Sequence, residues 1–232
     1  MSRIIILGGH GKVALLAEPL LTAAGHDIDA VIRNPDHAAE VEATGARAVV
    51  ADISELDDDG FAALLADHDV VVWSAGAGGG SAERTYAVDR DAAIRSLRAA
   101  AAAGASRYVM VSYFGAGPDH GVDPDNSFYA YAEAKAAADE AVRASDLRWT
   151  ILAPSSLTLD DATGKIDVDA SEGSSVARAD VAAVIAAVIV DDTTIGRTIS
   201  FNSGDVPIVE AVAHAGATGD SEPAEQPPRP SD

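Results

Sequence analysis

The sequence of 232 residues has no cysteine, only three lysines and no long apolar run. The absence of cysteine excludes disulfides, thiolate nucleophiles and cysteine-based zinc sites. The six histidines show no ligand spacing, so we also predict no metal site. The first residues, MSRIII, lack the apolar segment of a signal peptide, and no later stretch approaches the length of a membrane span. We therefore expect a cytoplasmic protein.

Basic residues are scarce as well. Lys and Arg number 16 against 37 Asp and Glu, which gives a formal net charge of −21. This charge argues against nucleic acid or a membrane surface as a partner and leaves a small molecule as the expected ligand. Hydrophobic residues make up 48% of the chain, as in a globular domain. We expect one domain over residues 1–214 and a disordered acidic, proline-rich tail over 215–232.

Apolar, β-branched runs alternate with alanine-rich segments of helical period. The predicted strands are 4–7, 30–32, 48–50, 70–73, 108–112, 150–152 and 198–202. The predicted helices are 14–24, 35–44, 61–66, 85–103, 129–145, 179–190 and 208–214. This alternation indicates an α/β fold, a Rossmann-type doubly wound parallel sheet with helices on both faces. The region after the sixth strand is expected to form a small C-terminal extension on the substrate side, irregular over 155–175.

The first predicted strand runs directly into the sequence GGHGKVA. Its second glycine, its third glycine and its alanine match the G-x-G-x-x-G/A pattern, which lets a pyrophosphate approach a helix N-terminus. A P-loop is excluded because valine stands where a hydroxyl residue would be needed. A glycine turn without a ligand and a histidine that points to solvent are the alternatives. The predicted cofactor-binding residues here are Gly8, Gly9, His10, Gly11, Lys12 and Val13.

The residue after the second predicted strand distinguishes between dinucleotide cofactors. An acidic residue there would bind the ribose 2′-hydroxyl of NAD, whereas an arginine accommodates the 2′-phosphate of NADP. The strand ends in VIRNP, which places Arg33 at this position. Asp27 and Asp29 have the spacing of the NAD acid but lie at or before the middle of the strand. We therefore predict NADP, with NAD possible and a merely solvated Arg33 as the alternative.

Two further strand ends point to the same cleft, because ligands of open α/β sheets bind at the carboxyl ends of the strands. Asp52 and Ile53 follow the third predicted strand. Ser74, Ala75 and Gly76 begin a glycine-rich stretch after the fourth, where small residues would let a cofactor lie against the backbone. A helix N-cap is an equally good interpretation of Asp52.

A serine, a tyrosine and a lysine follow at a spacing that suits proton transfer. Ser112 ends the fifth predicted strand, and Tyr131 precedes Lys135 by four residues on a predicted helix. Residues four apart share a helix face, so both side chains are expected to point into the cleft. A lysine near a phenol would lower the tyrosine pKa from about 10 and make the phenol a usable proton donor and acceptor. The alternative is a surface tyrosine with a solvated lysine.

In their serial order these blocks resemble the short-chain dehydrogenase/reductase superfamily. Within it they are similar to the atypical NAD(P)H-binding group, which includes biliverdin reductase B (flavin reductase) and NmrA-like proteins. The resemblance covers residues 3–214. It rests on GGHGKVA, VIRNP, ADI, SAGAGGG, VDRDAAIRSLRAAAAAGASRYVMVS, YAEAK, SSVARADVAAVIAAVI and FNSGDVPIVEAV.

The resemblance implies a role for each of the three polar residues. Ser112 would polarise a substrate carbonyl, Tyr131 would transfer the proton, and Lys135 would hold the nicotinamide ribose and tune Tyr131. The implied reaction moves a hydride between nicotinamide and a small carbonyl, quinone or flavin-like substrate. A monomer or a homodimer is implied for the assembly.

The segment LAPSSLT is similar to the family pattern L-R-P-G-x-L-T, whose backbone lies beside the nicotinamide. It adds Pro154 to the predicted cofactor site, although Ala153 and Ser155 replace the arginine and glycine of the pattern. The substrate pocket is expected to come from the stretch after Pro154 and from the loop over residues 115–127.

Two other functions are compatible with these blocks. A non-catalytic NADP(H) sensor of the NmrA type would bind the cofactor and regulate a partner, but it would not need Tyr131 and Lys135. A sugar-nucleotide epimerase or dehydratase would use the same three residues. However, the chain between Pro154 and the tail leaves little room for the larger substrate lobe of such enzymes.

Overall fold

The computed structural model describes residues 1–78 and 81–217. The strands are β1 Arg3–Leu7, β2 Asp27–Ile32, β3 Arg47–Val50, β4 Val70–Trp73, β5 Arg107–Val111, β6 Trp149–Pro154, β7 Ser156–Thr158, β8 Lys165–Asp167, β9 Ser175–Ala177, β10 Arg197–Ser203 and β11 Val206–Pro207. The α-helices are α1 Ala14–Ala23, α2 Ala38–Glu42, α3 Asp58–Leu65, α4 Ala82–Thr85, α5 Ala93–Ala103, α6 Tyr129–Arg143, α7 Arg178–Val190 and α8 Ile208–Ala217.

Within this described part, nine strands form one sheet in the order β11-β8-β10-β6-β5-β4-β1-β2-β3. The strands from β3 across to β10 are parallel to their neighbours, whereas β8 and β11 pair antiparallel at one edge. The order β3-β2-β1-β4-β5-β6 is that of a Rossmann fold, with its topological switch between β1 and β4. The predicted doubly wound parallel sheet is confirmed.

Both faces of the sheet are covered, which explains why its strands are apolar without alternation. Ile4, Ile5, Ile6 and Leu7 of β1 are each at most 1% exposed. Ile4 and Ile6 belong to a core cluster with residues of α1, α7 and α8. Ile5 and Leu7 belong to a second cluster with residues of α3, α5 and α6. The alternation of side chains along a strand therefore supplies two cores, one on each face.

The predicted helix over residues 85–103 is more complex in the structure. It begins as α4, widens into a π-helical segment over Tyr86–Ala92 and continues as α5. π-Helical turns often occur at functional sites. This one carries Asp89, a charged residue that is 1% exposed.

The extension after β6 is more ordered than predicted. Three-residue strands β7, β8 and β9 lie in the stretch expected to be irregular or directly follow it, and each is too short to show a periodic pattern. Helix α8 ends at Ala217, inside the predicted tail, and the rest of that tail lies outside the described residues. Among the residues that are described, no helix is long and apolar enough to cross a membrane.

Candidate active site

Two cavities open side by side at the carboxyl edge of the parallel strands. The first, of about 270 Å³, lies over the ends of β1 to β4, and the second, of about 460 Å³, lies over the ends of β5 and β6. Strands β4 and β5 are neighbours, with Trp73 opposite Met110. The loops after these two strands therefore bring the cavities next to each other, at the edge where open α/β sheets bind ligands.

Most residues predicted to bind the cofactor lie around the first cavity. The predicted residues that line it are Gly8, His10, Gly11, Arg33, Asp52, Ile53, Ser74, Ala75 and Gly76. Pro154 lines the second cavity instead. The remaining three, Gly9, Lys12 and Val13, line neither of these two cavities.

Gly8 is the position in the loop after β1 where the backbone requires glycine. Its φ is 91°, and a Cβ there would lie 2.6 Å from the Cα of Ala75. The N–H of Gly11 donates to the carbonyl oxygen of Gly8 at 2.9 Å and closes the turn. The loops after β1 and β4 thus meet backbone to backbone in the wall of the first cavity, and no side chain separates them.

Gly9, Lys12 and Val13 were also predicted to bind the cofactor, and the structure places them outside the lining of the first cavity. A Cβ on Gly9 would lie 2.6 Å from the Cβ of Ala30, and its N–H donates to the carbonyl oxygen of Val31 at 2.8 Å. This glycine therefore fits the loop against β2. Lys12 is exposed, and Val13 is 8% exposed in the apolar core at the start of α1. The glycine pattern alone does not distinguish a glycine that packs against the sheet from one that faces the ligand.

Two arginines bring positive charge to the first cavity. Arg33 follows β2 and is exposed, as its position predicted, whereas Arg84 comes from α4 and belongs to no pattern in the sequence. Neither guanidinium has an ion-pair partner in residues 1–78 and 81–217. A planar guanidinium that is always charged suits a phosphate, because it can form two parallel hydrogen bonds.

His10 has a defined place in the wall of the first cavity. Its ring stacks on the ring of His37, with centroids 3.6 Å apart, and both residues line the cavity. Its Nε2 lies 2.8 Å from a carboxylate oxygen of Glu40. These contacts connect the loop after β1 to the chain after β2, so the side chain of His10 does not simply point to solvent.

The acidic residues near the predicted cofactor site have local roles. Asp52 lines the first cavity, and its Oδ1 accepts hydrogen bonds from the N–H and the hydroxyl of Ser54 at 3.0 and 2.6 Å. It caps the turn after β3, whereas the N-cap of α3 is Asp57. Asp27 and Asp29 begin β2 at the opposite edge of the sheet and do not line the first cavity.

The second cavity brings Ser112 and Tyr131 together with Pro154. Ser112 follows β5, Tyr131 lies in the first turn of α6, and Pro154 ends β6. The other lining residues are aromatic, aliphatic or small: Tyr113, Phe114, Phe128, Ser155, Ser156, Leu157, Gly173 and Ser174. Among the described residues, this lining includes no charged side chain, so the cavity suits a neutral molecule with an apolar surface.

Three aromatic rings form one wall of this cavity. The ring of Tyr131 lies 5.1 Å from that of Phe128 and 5.6 Å from that of Tyr113, between centroids. Residues after Pro154, the stretch expected to form the substrate pocket, line the second cavity. The sequence indicated the loop over 115–127 as well, but Phe114 and Phe128, which flank that loop, line the cavity instead. No periodic pattern marks such isolated aromatic residues.

Lys135 lies behind the wall and lines neither cavity. It is 1% exposed, and its Nζ donates to the carbonyl oxygen of Val111 at 2.8 Å. Burial lowers the pKa of Lys135, while the carboxylates of Asp139 and Asp89 raise it. The four-residue spacing placed Lys135 correctly on α6, but its ammonium does not share the cavity with Tyr131.

The prediction that Lys135 lowers the pKa of Tyr131 is wrong. Burial raises the pKa of the Tyr131 phenol, and the negative charges of Asp89 and Asp139 raise it further. The phenol therefore keeps its proton at neutral pH. Sequence reasoning missed both aspartates, because Asp89 lay in the block VDRDAAIRSLRAAAAAGASRYVMVS without an assigned role and Asp139 lay outside every block.

The buried side chains of Asp89 and Asp139 each accept a hydrogen bond from a residue that lines one of the two cavities. Asp89 accepts a hydrogen bond at 3.0 Å from the N–H of Ala77, which lines the first cavity. Asp139 accepts one at 2.5 Å from the hydroxyl of Ser112, which lines the second. In each carboxyl group, the other oxygen has no hydrogen-bond partner in the described part of the chain. Burial raises the pKa of both groups, as expected for carboxylates that are incompletely paired.

The chain matches known proteins over most of its length. A family model described as NAD(P)H-binding matches residues 8–192. The Bacillus subtilis protein named "Uncharacterized sugar epimerase YhfK" is 32% identical over 214 residues, which cover 90% of this chain and 98% of that relative.

Solved structures show the same fold. The "Putative NAD-dependent epimerase/dehydratase" from Bacillus halodurans superimposes with a TM-score of 0.84 and 33% identity, over 92% of this chain and 100% of that one. ChuY from Escherichia coli O157:H7, described as an "Anaerobillin Reductase", superimposes with a TM-score of 0.72 and 25% identity, over 88% of this chain and 98% of that one. The resemblance inferred from the sequence blocks is confirmed.

Proposed function

The chain belongs to the NAD(P)H-binding family, and on that premise we propose that it is an NADPH-dependent reductase of a small planar carbonyl or quinone. The second cavity is the observation that carries this proposal. It joins Ser112 and Tyr131, two hydroxyl groups able to contact a carbonyl oxygen, to an uncharged lining with aromatic rings. Aromatic side chains pack well against a flat, conjugated substrate.

The first cavity supports the choice of NADPH. Arg33 and Arg84 line it, and neither has an ion-pair partner among the described residues, so both guanidinium groups can bind phosphate. Gly8, Gly11 and Gly76 line the same cavity and leave backbone accessible to a pyrophosphate. These features fit a phosphorylated dinucleotide. Arg33 has the position after β2 from which a side chain reaches the 2′-phosphate of NADP.

A nicotinamide cofactor would supply the hydride when bound, and the residues of the second cavity handle the proton. Tyr131 holds its proton at neutral pH, because burial and the two aspartates raise its pKa. It therefore acts as the donor to the substrate oxygen in the direction of reduction. Ser112 holds the same oxygen by a second hydrogen bond. Lys135 acts from behind the wall, where it holds the carbonyl group of Val111 at the end of β5.

Epimerase activity is the second candidate, because two of the related proteins carry that description. A sugar nucleotide has a diphosphate group, and proteins bind such a group with arginine, lysine or a metal ion. The uncharged lining of the second cavity does not favour a diphosphate. We therefore rank epimerase activity below reduction of a neutral carbonyl.

A two-step experiment tests the proposal. NADPH and NADH are first titrated against the protein by nicotinamide fluorescence. The protein is then incubated with NADPH and 9,10-phenanthrenequinone, 1,4-naphthoquinone or aromatic aldehydes, and separately with NAD and UDP-glucose. Preferential binding of NADPH and its consumption by a quinone or aldehyde would support the reductase. Binding without consumption would favour the sensor, and conversion of UDP-glucose would favour the epimerase.

A further inference from the structure

We propose that Asp139, which lies behind the wall of the second cavity, controls whether Ser112 can donate a hydrogen bond to the substrate carbonyl. The inference rests on the proposed reductase function, because that reaction needs a donor at the carbonyl oxygen. Asp139 lines neither cavity, so it is a positioning residue that acts through Ser112.

The control follows from the single hydrogen of the serine hydroxyl. The Oγ of Ser112 lies 2.5 Å from Oδ2 of Asp139, so one of these two oxygens must donate to the other. If Asp139 is ionised, the hydroxyl hydrogen points to the carboxylate, and Ser112 presents only lone pairs to the cavity. If Asp139 is protonated, it donates to Ser112, and the serine hydrogen is free to point to a carbonyl oxygen.

The surroundings of Asp139 favour its protonated form. The side chain is 0% exposed, and its Oδ1 has no hydrogen-bond partner among the described residues. The ammonium of Lys135 donates to the carbonyl oxygen of Val111, and Asp139 forms no ion pair within the part of the chain that is described. Burial of a charge without a direct partner is costly. In agreement, burial raises the pKa of Asp139, although Lys135, Ser112 and Arg143 oppose this shift.

Groups from several elements act on this carboxyl group. They are Lys135, Tyr131 and Arg143 on α6, Tyr108 on β5, and Ser112 and Tyr113 after β5. Asp89 acts on the same lysine from the π-helical segment. The phenols are neutral at neutral pH, since burial raises the pKa of Tyr108, Tyr113 and Tyr131. The phenols therefore do not account for a change near neutral pH. Burial lowers the pKa of Lys135, and Asp139→Asn distinguishes a titration of this lysine from that of Asp139.

The expected pH dependence has a definite sign. Asp139 is protonated at low pH, so Ser112 donates to the substrate and the reductase is in its faster form. As pH rises through the pKa of Asp139, the hydroxyl hydrogen turns to the carboxylate, and kcat falls by about 100-fold, the usual effect of losing one such donor. Tyr131 still supplies the proton, so the rate reaches a plateau. That plateau equals the rate of Ser112→Ala.

The kinetic experiment measures kcat for NADPH and 9,10-phenanthrenequinone across pH in four proteins. Wild type should show the decline, and Ser112→Ala should be slow at every pH. Asp139→Asn should lose the decline, because a carboxamide does not titrate. Asp89→Asn is the matched control: it removes the other carboxyl group beside Lys135, and the decline should remain. A decline that persists in Asp139→Asn, or in Ser112→Ala, would overturn the proposal.

A spectroscopic measurement keeps this test independent of the proposed function. Infrared spectra of the cofactor-free protein, in normal and heavy water, report the carbonyl stretch of protonated carboxyl groups. A band that disappears in Asp139→Asn, persists in Asp89→Asn and shifts in Ser112→Ala would support the proposal. Absence of any band that depends on Asp139 would overturn it. If no acceptor consumes NADPH but the band titrates as expected, the proposed reductase function fails and the Asp139–Ser112 pair stands.

Discussion

The two cavities at the carboxyl edge of the sheet are built in different ways. The first is walled by short loops after β1 to β4 and by Arg33 and Arg84. The second is walled by side chains from β6, from the start of α6, and from the segments after β5 and β6, and its described lining is uncharged. Backbone groups and arginines suit phosphates, whereas rings and small residues suit a flat neutral molecule.

This contrast has a physical origin. A phosphate can be held by backbone N–H groups and one or two cations, so a few adjacent residues after a strand suffice. A ring system is held by packing, which needs surfaces from elements far apart in the chain. Phe114, Phe128, Leu157 and Gly173 come from such separate segments. The first cavity is therefore lined largely by short loops that directly follow strands, and the second by side chains from separate segments.

The largest expected effect concerns the proton donor of the second cavity. Tyr131→Phe removes the phenol hydroxyl and keeps the ring, so we expect kcat with NADPH and a quinone to fall by about 100- to 10,000-fold. NADPH affinity, measured by fluorescence, should stay unchanged, because Tyr131 does not line the first cavity. Tyr129→Phe is the control, since that ring contacts His120 and does not line the second cavity. Equal turnover in both variants would contradict the assignment.

The next effect concerns charge in the first cavity. Arg33→Ala should weaken NADPH binding by about 10- to 100-fold, because hydrogen bonds to a charged group contribute about 1.5–3 kcal/mol. NADH binding should change little, since NADH lacks the 2′-phosphate. Arg98→Ala is the control, an exposed arginine on α5 that lines neither cavity. Isothermal titration calorimetry with both nucleotides measures these affinities. An equal loss of affinity for NADPH and NADH would show that Arg33 does not bind the 2′-phosphate.

A pair of glycine substitutions separates packing from ligand contact in the first cavity. Gly9→Ala would place a Cβ 2.6 Å from that of Ala30, so we expect it to lower the unfolding free energy by about 2–3 kcal/mol. Gly76→Ala meets only a side-chain oxygen of Asp89 at 3.3 Å and should change stability by less than about 1 kcal/mol. Gly76→Ala should instead weaken NADPH binding. Urea unfolding and NADPH titration of both variants test this. Loss of stability in Gly76→Ala and loss of NADPH affinity in Gly9→Ala would show that Gly76 is the packing residue and Gly9 the ligand contact.

The smallest effect concerns a titratable group beneath the first cavity. Glu18 on α1 is 0% exposed, accepts a hydrogen bond from Thr44 at 2.8 Å and interacts with His10. Burial raises its pKa from 4.5 to about 7. Between pH 4.5 and about 7 the folded protein therefore keeps this proton, whereas the unfolded chain loses it. The contribution of the protonated group to the unfolding free energy is full below pH 4.5 and is lost as pH rises through about 7.

Glu18→Gln removes this titration. Above neutral pH the variant should be more stable than wild type by about 1–2 kcal/mol, and its stability should depend less on pH. Glu42→Gln is the control, because Glu42 is exposed on the neighbouring helix α2. Urea unfolding across pH measures the difference. The same pH dependence in wild type and Glu18→Gln would show that another group is responsible.

Sequence patterns predicted the strands and helices well because each element is determined by the residues of its own short stretch of chain. The apolar run of β4 coincides with its predicted bounds, Val70–Trp73, and α1 begins at the predicted Ala14. Continuous apolar strands and alanine-rich helices follow directly from burial on both faces of a parallel sheet. Arg33 was predicted for the same reason, since its place is fixed by the end of β2.

The buried polar residues could not be predicted in this way. Nothing in the local sequence distinguishes Asp89 and Asp139 from other helical residues. Only the tertiary packing brings their carboxyl groups near Lys135. Burial of the phenol, together with the charges of these two aspartates, raises the pKa of Tyr131 where the lysine was expected to lower it, because the spacing of two residues carries no information about their surroundings. The short strand β7 was missed for a related reason, since three residues form no periodic pattern.

Transient kinetics test the central claim most directly. The protein saturated with NADPH is mixed rapidly with 9,10-phenanthrenequinone, and the nicotinamide absorbance is followed in wild type and Tyr131→Phe. We predict a decay that requires the protein and is slowed in Tyr131→Phe. In a second mixing, at subsaturating nucleotide, the decay should be faster with NADPH than with NADH. NADPH that binds tightly but is not consumed by this quinone or by any aromatic carbonyl would contradict the account.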